Sequence, residues 1–160
     1  MRALRHIAAI GLLPGVVAVL VPALLAPWGE GPAAWPLVAA GCVLVAAGVG
    51  LIAWTVALFA AVGRGTLAPW DPTERLVVRG PYRHVRNPMI SGVLALLLGE
   101  AALFGSPALL AWFAAVLAVN AVYLPLVEEP GLHRRFGADY DAYRAHVPRW
   151  LPRPRPWDPA

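Results

Sequence analysis

Two short polar clusters hold most of the residues in this chain that could do chemistry. The first is Gly80-Pro81-Tyr82-Arg83-His84-Val85-Arg86-Asn87-Pro88. The second is Glu128-Glu129, followed by Phe136-Gly137 and the pair Tyr140 and Tyr143. Arg86 offers a planar, two-pronged donor for a carboxylate. Glu128 and Glu129 offer acceptors for an ammonium or a hydroxyl, and His84 or Glu129 is the candidate base if an amine must lose its proton. Tyr82, Phe136, Tyr140 and Tyr143 present flat apolar faces. Brought together, the clusters would set a cation and an anion beside an aromatic surface. Each also has a plainer reading. Arg79, Arg83 and His84 suit lipid headgroups, Arg86 could anchor a helix start, and the aromatic residues could be packing.

The elements that must position these residues are long apolar blocks. The chain has 160 residues, 59% of them hydrophobic and 14% charged, where soluble domains carry about a quarter charged residues. Residues 7–29 and 31–63 contain no charge, and two more apolar blocks cover 89–104 and 108–127. A bilayer core of about 30 Å needs roughly 20 helical residues. The chain therefore reads as an all-α integral membrane protein. Its single domain, 1–160, has about four transmembrane helices over 5–26, 33–62, 88–104 and 108–127. The third is short for a crossing. The first block is too long for a signal-peptide core, which spans about 7–15 residues, so a retained helix is expected.

All 13 basic residues are arginine. They precede the first block, lie between the second and third, or follow the fourth. The connections around Glu30 and Ser106 have none. The positive-inside rule then sets both termini and the central loop on the cytoplasmic side of a multi-pass protein. The net charge of +4 reflects this topology and contact with membrane lipids, and no nucleic-acid recognition motif accompanies it. Cys42, the only cysteine, excludes an intramolecular disulfide or a cysteine-cluster metal site; no metal is expected. The arginine-only, alanine-rich composition points to a GC-rich bacterial genome and so to a bacterial cytoplasmic (inner) membrane.

Between the second and third helices, 63–88 is too apolar for a free linker and reads as an ordered loop against the membrane face. Pro88 suits the first turn of the third helix, and Gly105-Ser106-Pro107 is a tight turn. Helices three and four then form an antiparallel hairpin, which brings both polar clusters out on one face. After Val127, where the fourth helix is expected to end, Leu132, Phe136, Tyr140, Tyr143 and Val147 recur at helical spacing. They predict an amphipathic cytoplasmic tail helix over 131–146. Anions at a helix C-terminus are unfavourable, so Glu128-Glu129 there argues for a functional role. Pro148, Pro152, Pro154, Pro156 and Pro159 force an extended end. Glu100 and Asn120 are polar groups inside apolar blocks; Glu100 falls near the outer end of its helix.

Gly80-Pro-Tyr-Arg-x-x-Arg-Asn-Pro-Met, Glu-Glu after a hydrophobic hairpin, Phe-Gly-x-x-Tyr-x-x-Tyr and Val-Pro-Arg-Trp together resemble the isoprenylcysteine carboxyl methyltransferase family, which is related to the phospholipid methyltransferases. The resemblance covers about 73–152. It implies S-adenosylmethionine as cofactor, held in a pocket built by the central loop, the hairpin ends and the tail helix. The cofactor-binding residues it implies are Tyr82, Arg83, Val85, Arg86, Asn87, Pro88, Met89, Glu128, Glu129, Leu132, Phe136, Tyr140 and Tyr143. Arg86 and Glu129 would be catalytic, acting on opposite ends of one site. Ile90 and Asn120 would line a tunnel for a lipophilic, isoprenoid- or lipid-like substrate. The family often has Arg-His-Pro-x-Tyr where this chain has Arg86-Asn87-Pro88-Met89-Ile90. Asn87 cannot titrate and Ile90 cannot hydrogen-bond, departures that bear on the acceptor more than on the cofactor. Two rivals stand beside this reading: a membrane reductase of the sterol-reductase type using a nicotinamide cofactor, and a non-enzymatic four-helix membrane protein.

Overall fold

The computed structural model describes residues 11–26, 33–62 and 76–158. The expected start of the first helix, the turn around Glu30 and most of the central loop lie outside them. The described residues are helical, without strands. Helix α1 runs as a π-helix over Gly11–Leu20 and ends as an α-helix over Val21–Leu25. Helix α2 covers Trp35–Val62, α3 Pro88–Phe104 and α4 Pro107–Tyr123. A π-helical stretch, Leu124–Glu128, joins α4 without interruption to α5, Glu129–Phe136. Helix α6 covers Ala138–His146.

Among the described residues, two helices are long and apolar enough to cross a membrane: Trp35–Ala61, within α2, and the continuous rod Pro107–Phe136. Their side chains point mostly outward. Leu37, Val43, Val49 and Trp54 on α2, and Leu110, Leu117, Val119 and Val122 on α4, are exposed large hydrophobic residues. Such a surface suits lipid and is costly in water. Two further apolar helices, Gly15–Leu25 and Pro88–Phe104, are shorter.

Helix α3 is the one the others enclose. Its Val93 and Leu97 are buried with Ala18 of α1, against Ile52 of α2 and Trp112, Phe113 and Val116 of α4. Glycines set its distance from α2. A Cβ built on Gly48 would come within 2.6 Å of the Gly92 carbonyl oxygen, and one on Gly41 within 2.8 Å of that of Gly99. The pairs 41/99 and 48/92 run in opposite directions, so the helices are antiparallel. Each helix places its two glycines seven residues apart, two turns along one face. Backbones that touch this closely need small residues on both sides.

The hairpin turn follows its sequence closely. Gly105 takes the left-handed φ of 58° that closes α3, a conformation glycine adopts without cost. The Ser106 hydroxyl then caps α4, accepting from the Leu109 N–H at 3.3 Å. Prolines shape the other helices. In a π register the Val17 carbonyl would accept from residue 22, but Pro22 has no N–H; the Trp112 indole N–H bonds that carbonyl at 2.9 Å instead, tying α4 to α1.

Three expectations change beyond α4. The fourth helix does not end at Val127. Pro125 and Pro130 both lack the N–H that a regular helix needs, and the backbone widens between them, the Glu129 N–H reaching back five residues to the Leu124 carbonyl. Glu128 and Glu129 therefore do not stand at a helix C-terminus, and the dipole argument for them lapses. The tail helix expected over 131–146 is two helices, because Gly137 sits at φ 53°, ψ −127°, a region that side chains with a Cβ avoid. Its aromatic stripe survives the break: Tyr140, Tyr143 and Val147 are buried against Leu76, Val78, Leu132, Phe136 and Trp157. Helix α6 thus lies on the end of the central loop.

Candidate functional site

Widening the helix at 124–128 decides where Glu129 points. Leu124 and Glu129 are 1% and 6% exposed. Five residues apart on a regular α-helix, they would diverge by about 140°; the π turn puts both on the inward side. Leu126 and Val127 between them remain exposed.

Glu129 meets two arginines there. Arg149 Nε donates to its Oε1 at 2.6 Å and Arg149 Nη2 to its Oε2 at 3.0 Å. Arg86 Nη1 stands 3.1 Å from the same Oε1, and the Arg86 and Glu129 side chains are 10% and 8% exposed. The Glu129 hydrogen bonds hold the Arg149 guanidinium above even the ordinary arginine range. Arg86 Nη1 also donates to the Tyr140 hydroxyl at 3.3 Å. Arg86 Nε is buried with no hydrogen-bond partner; among the described residues, the other such atom is Glu100 Oε2. Two guanidinium groups against one carboxylate leave the cluster a net cation with an unspent buried donor.

The residues that hold Arg86 come from far along the chain. A 3₁₀ turn, Gly80–Arg83, places the buried Tyr82, and Pro88 starts α3. Between them the Arg86 N–H donates to the Pro148 carbonyl at 2.9 Å, and the Asn87 amide reaches the Arg149 carbonyl at 3.5 Å. The extended C-terminal segment continues along the same loop. Arg153 N–H donates to the His84 carbonyl at 2.9 Å and Trp157 N–H to the Arg83 carbonyl at 3.0 Å. His84 Nδ1 donates in return to the Arg153 carbonyl at 2.8 Å. The Tyr143 hydroxyl donates to the Tyr82 carbonyl at 2.8 Å. Burial pushes the Tyr82 and Tyr143 hydroxyls up from the usual phenol range, so both stay protonated. Tyr140 is raised by burial and then by the Glu129 charge.

The structure thus gathers Arg86, Glu129 and Tyr140 into direct contact. Arg86 and Glu129 touch each other rather than standing at separate ends of a site. Asn87 borders the cluster through its bond to Arg149. Val85 is buried, while Met89, Leu132 and Phe136 are half-buried. Glu128 is half-buried beside Glu129. Arg83 turns to the C-terminal segment instead, its Nε donating to the Trp157 carbonyl and its guanidinium pairing with Asp158. The Asn120 amide donates to the Val116 carbonyl of its own helix at 2.8 Å, and Ile90 is half-buried on α3. Arg149 is the residue the sequence did not single out. It stood within the Val147-Pro148-Arg149-Trp150 motif, which marked the place without revealing the partner.

Residues 37–139 match the phospholipid methyltransferase family. The chain belongs to that family. No curated protein and no solved structure matches it. The matched stretch spans α2 through the start of α6 and contains both Arg86 and Glu129. Tyr140, Tyr143 and Arg149 lie beyond it. A membrane methyltransferase relationship, read from the motifs, is what this family and the two long apolar helices support. No group of three or more histidine, cysteine, aspartate or glutamate side chains among the described residues could hold a metal ion.

Proposed function

We propose that the protein is an S-adenosylmethionine-dependent methyltransferase that modifies a lipophilic, isoprenoid- or lipid-like acceptor at the cytoplasmic face of a bacterial inner membrane. The observation that carries the proposal is the Arg86–Glu129–Arg149 cluster, in which Arg86 and Glu129 are nearly dry beside apolar helices, in a chain of a methyltransferase family. On this reading 1–160 is one domain. Helices α1 to α4 all cross the bilayer, and both termini are cytoplasmic.

The donor set fits the cofactor. Its amino-acid end carries an ammonium and a carboxylate, and the cluster offers one carboxylate, Glu129, and a surplus guanidinium whose Nε at Arg86 is buried without a partner. Glu129 would take the ammonium or a ribose hydroxyl. Arg86 would take a carboxylate, on the cofactor or on the acceptor. On this reading Tyr82, Phe136, Tyr140 and Tyr143 would lie beside the cofactor, with Glu128 at their edge. The acceptor would approach from the lipid side along α3 and α4, past Ile90 and Asn120. When bound, S-adenosylmethionine would supply an electrophilic methyl group on a sulfonium for direct in-line transfer to the acceptor, with S-adenosylhomocysteine as the leaving product. The protein's part is alignment and exclusion of water. An anionic carboxylate acceptor needs no general base, whereas an amine acceptor would first lose its proton, with Glu129 or His84 as the candidate base.

Calorimetry of purified protein in lipid nanodiscs should show binding of S-adenosylhomocysteine with no metal added. Lipid mass spectrometry of cells with and without the protein should reveal species heavier by one methylene. A folded, lipid-supplied sample that binds neither S-adenosyl compound would refute the proposal.

A further inference from the structure

Among the described residues, the donors to Glu129 leave one acceptor position open. Each carboxylate oxygen can take two donors. Oε1 already faces Arg149 Nε at 2.6 Å and Arg86 Nη1 at 3.1 Å, whereas Oε2 takes only Arg149 Nη2 at 3.0 Å. The open position is therefore on Oε2, and its direction depends on how the carboxylate plane is turned. That last torsion of a glutamate is soft and broad. Arg86 grips a single oxygen and cannot set it. Arg149 can, because its fork meets both oxygens and a bidentate pair is planar.

We propose that Arg149 is a positioning residue for Glu129, delivered by the C-terminal segment, which turns the Glu129 carboxylate so that Oε2 presents its free lone pair to an N–H or O–H donor of the bound ligand. The inference rests on the methyltransferase reading, in which that donor belongs to S-adenosylmethionine. It goes beyond the family match, which ends ten residues before Arg149. The segment is built for the task. Bonds from the Arg86 N–H to the Pro148 carbonyl at 2.9 Å, and from the Arg153 N–H to the His84 carbonyl at 2.9 Å, fix the backbone on both sides of Arg149. Its side chain remains 30% exposed, within reach of solvent.

The test uses full-length protein in nanodiscs and S-adenosylhomocysteine as the calorimetric probe. Arg149→Lys keeps the charge but loses the fork. It should weaken binding about tenfold or more, the worth of one charge-assisted hydrogen bond, with KM for the acceptor unchanged and melting near wild type. Arg155→Gln, on the exposed part of the same segment, should change nothing. The decisive comparison is Glu129→Gln against Glu129→Gln/Arg149→Gln. If Arg149 acts through Glu129, the two should bind alike within about twofold, as non-additive neighbours do. Additive losses, or a lowered melting temperature with wild-type affinity in Arg149→Lys, would show a structural role and overturn the proposal. Absence of binding by the wild-type protein would overturn the methyltransferase reading itself, a result distinguishable from either.

Discussion

Replacing Glu129 by glutamine tests the site most directly. The carboxylate is 8% exposed and faces guanidinium nitrogens at 2.6, 3.0 and 3.1 Å. An amide of the same shape removes the charge and sets an NH₂ donor against a donor. Arg149, 30% exposed, can turn to water and recover much of its loss. Arg86, 10% exposed and with Nε already unpartnered, cannot. Removing one member of a buried ion pair costs about 3–5 kcal/mol, and the escape open to Arg149 puts the stability loss near the lower end. For ligand binding, loss of a desolvated charged contact costs about 2–5 kcal/mol, so the dissociation constant for S-adenosylhomocysteine should rise at least thirtyfold or so. Glu129→Asp keeps the charge but draws it back by one methylene, and should fall between. Calorimetry and thermal melting in nanodiscs read the two effects separately. A Glu129→Gln protein with wild-type affinity and melting temperature would refute the reasoning.

The remaining predictions address the frame around the site. Gly48→Ala puts a methyl 2.6 Å from the Gly92 carbonyl oxygen and should cost about 1–3 kcal/mol of overpacking, read as a lower melting temperature; Gly50→Ala, with nothing within 4 Å, should melt at or above wild type. Tyr143→Phe strips the buried hydroxyl from the Tyr82 carbonyl and should cost about 1–3 kcal/mol in chemical denaturation, with little change in ligand affinity. Reporter fusions after Gly31 and after Ser106 should read as external and a fusion at the C-terminus as internal; an external C-terminus would separate the arginine-bearing segments from the cytoplasm and break the four-crossing arrangement.

Much of the frame was legible because its causes are local. Pro88 and Gly105 bracket α3 by what their backbones allow, and the helix spans the residues expected of it, Pro88–Phe104. The spacing of Leu132, Phe136, Tyr140, Tyr143 and Val147 marked a buried stripe, and that stripe is a core. The seven-residue intervals Gly41–Gly48 and Gly92–Gly99 stand in the sequence, but nothing local says that one pair must face the other. The motif around Arg86 and the Glu128-Glu129 pair also named the right neighbourhood for the charge cluster.

What the sequence could not supply was the pairing. By itself it determined apolar helices of membrane length, the hairpin turn, the arginine-bearing segments and the residue types of the site. Only the tertiary structure decided that Glu129 turns inward, because that depends on a helix widened between Pro125 and Pro130 rather than ended there. Only it decided that Arg149, twenty residues further on and past the reversal at Gly137, returns to that carboxylate. Helix propensity and periodicity act over a turn or two of chain. The partner of a buried charge is chosen by which distant segments can bury their apolar faces together, and the arginine that lands within reach of Glu129 is the one that the packing of Tyr140, Tyr143 and Val147 against the central loop carries there.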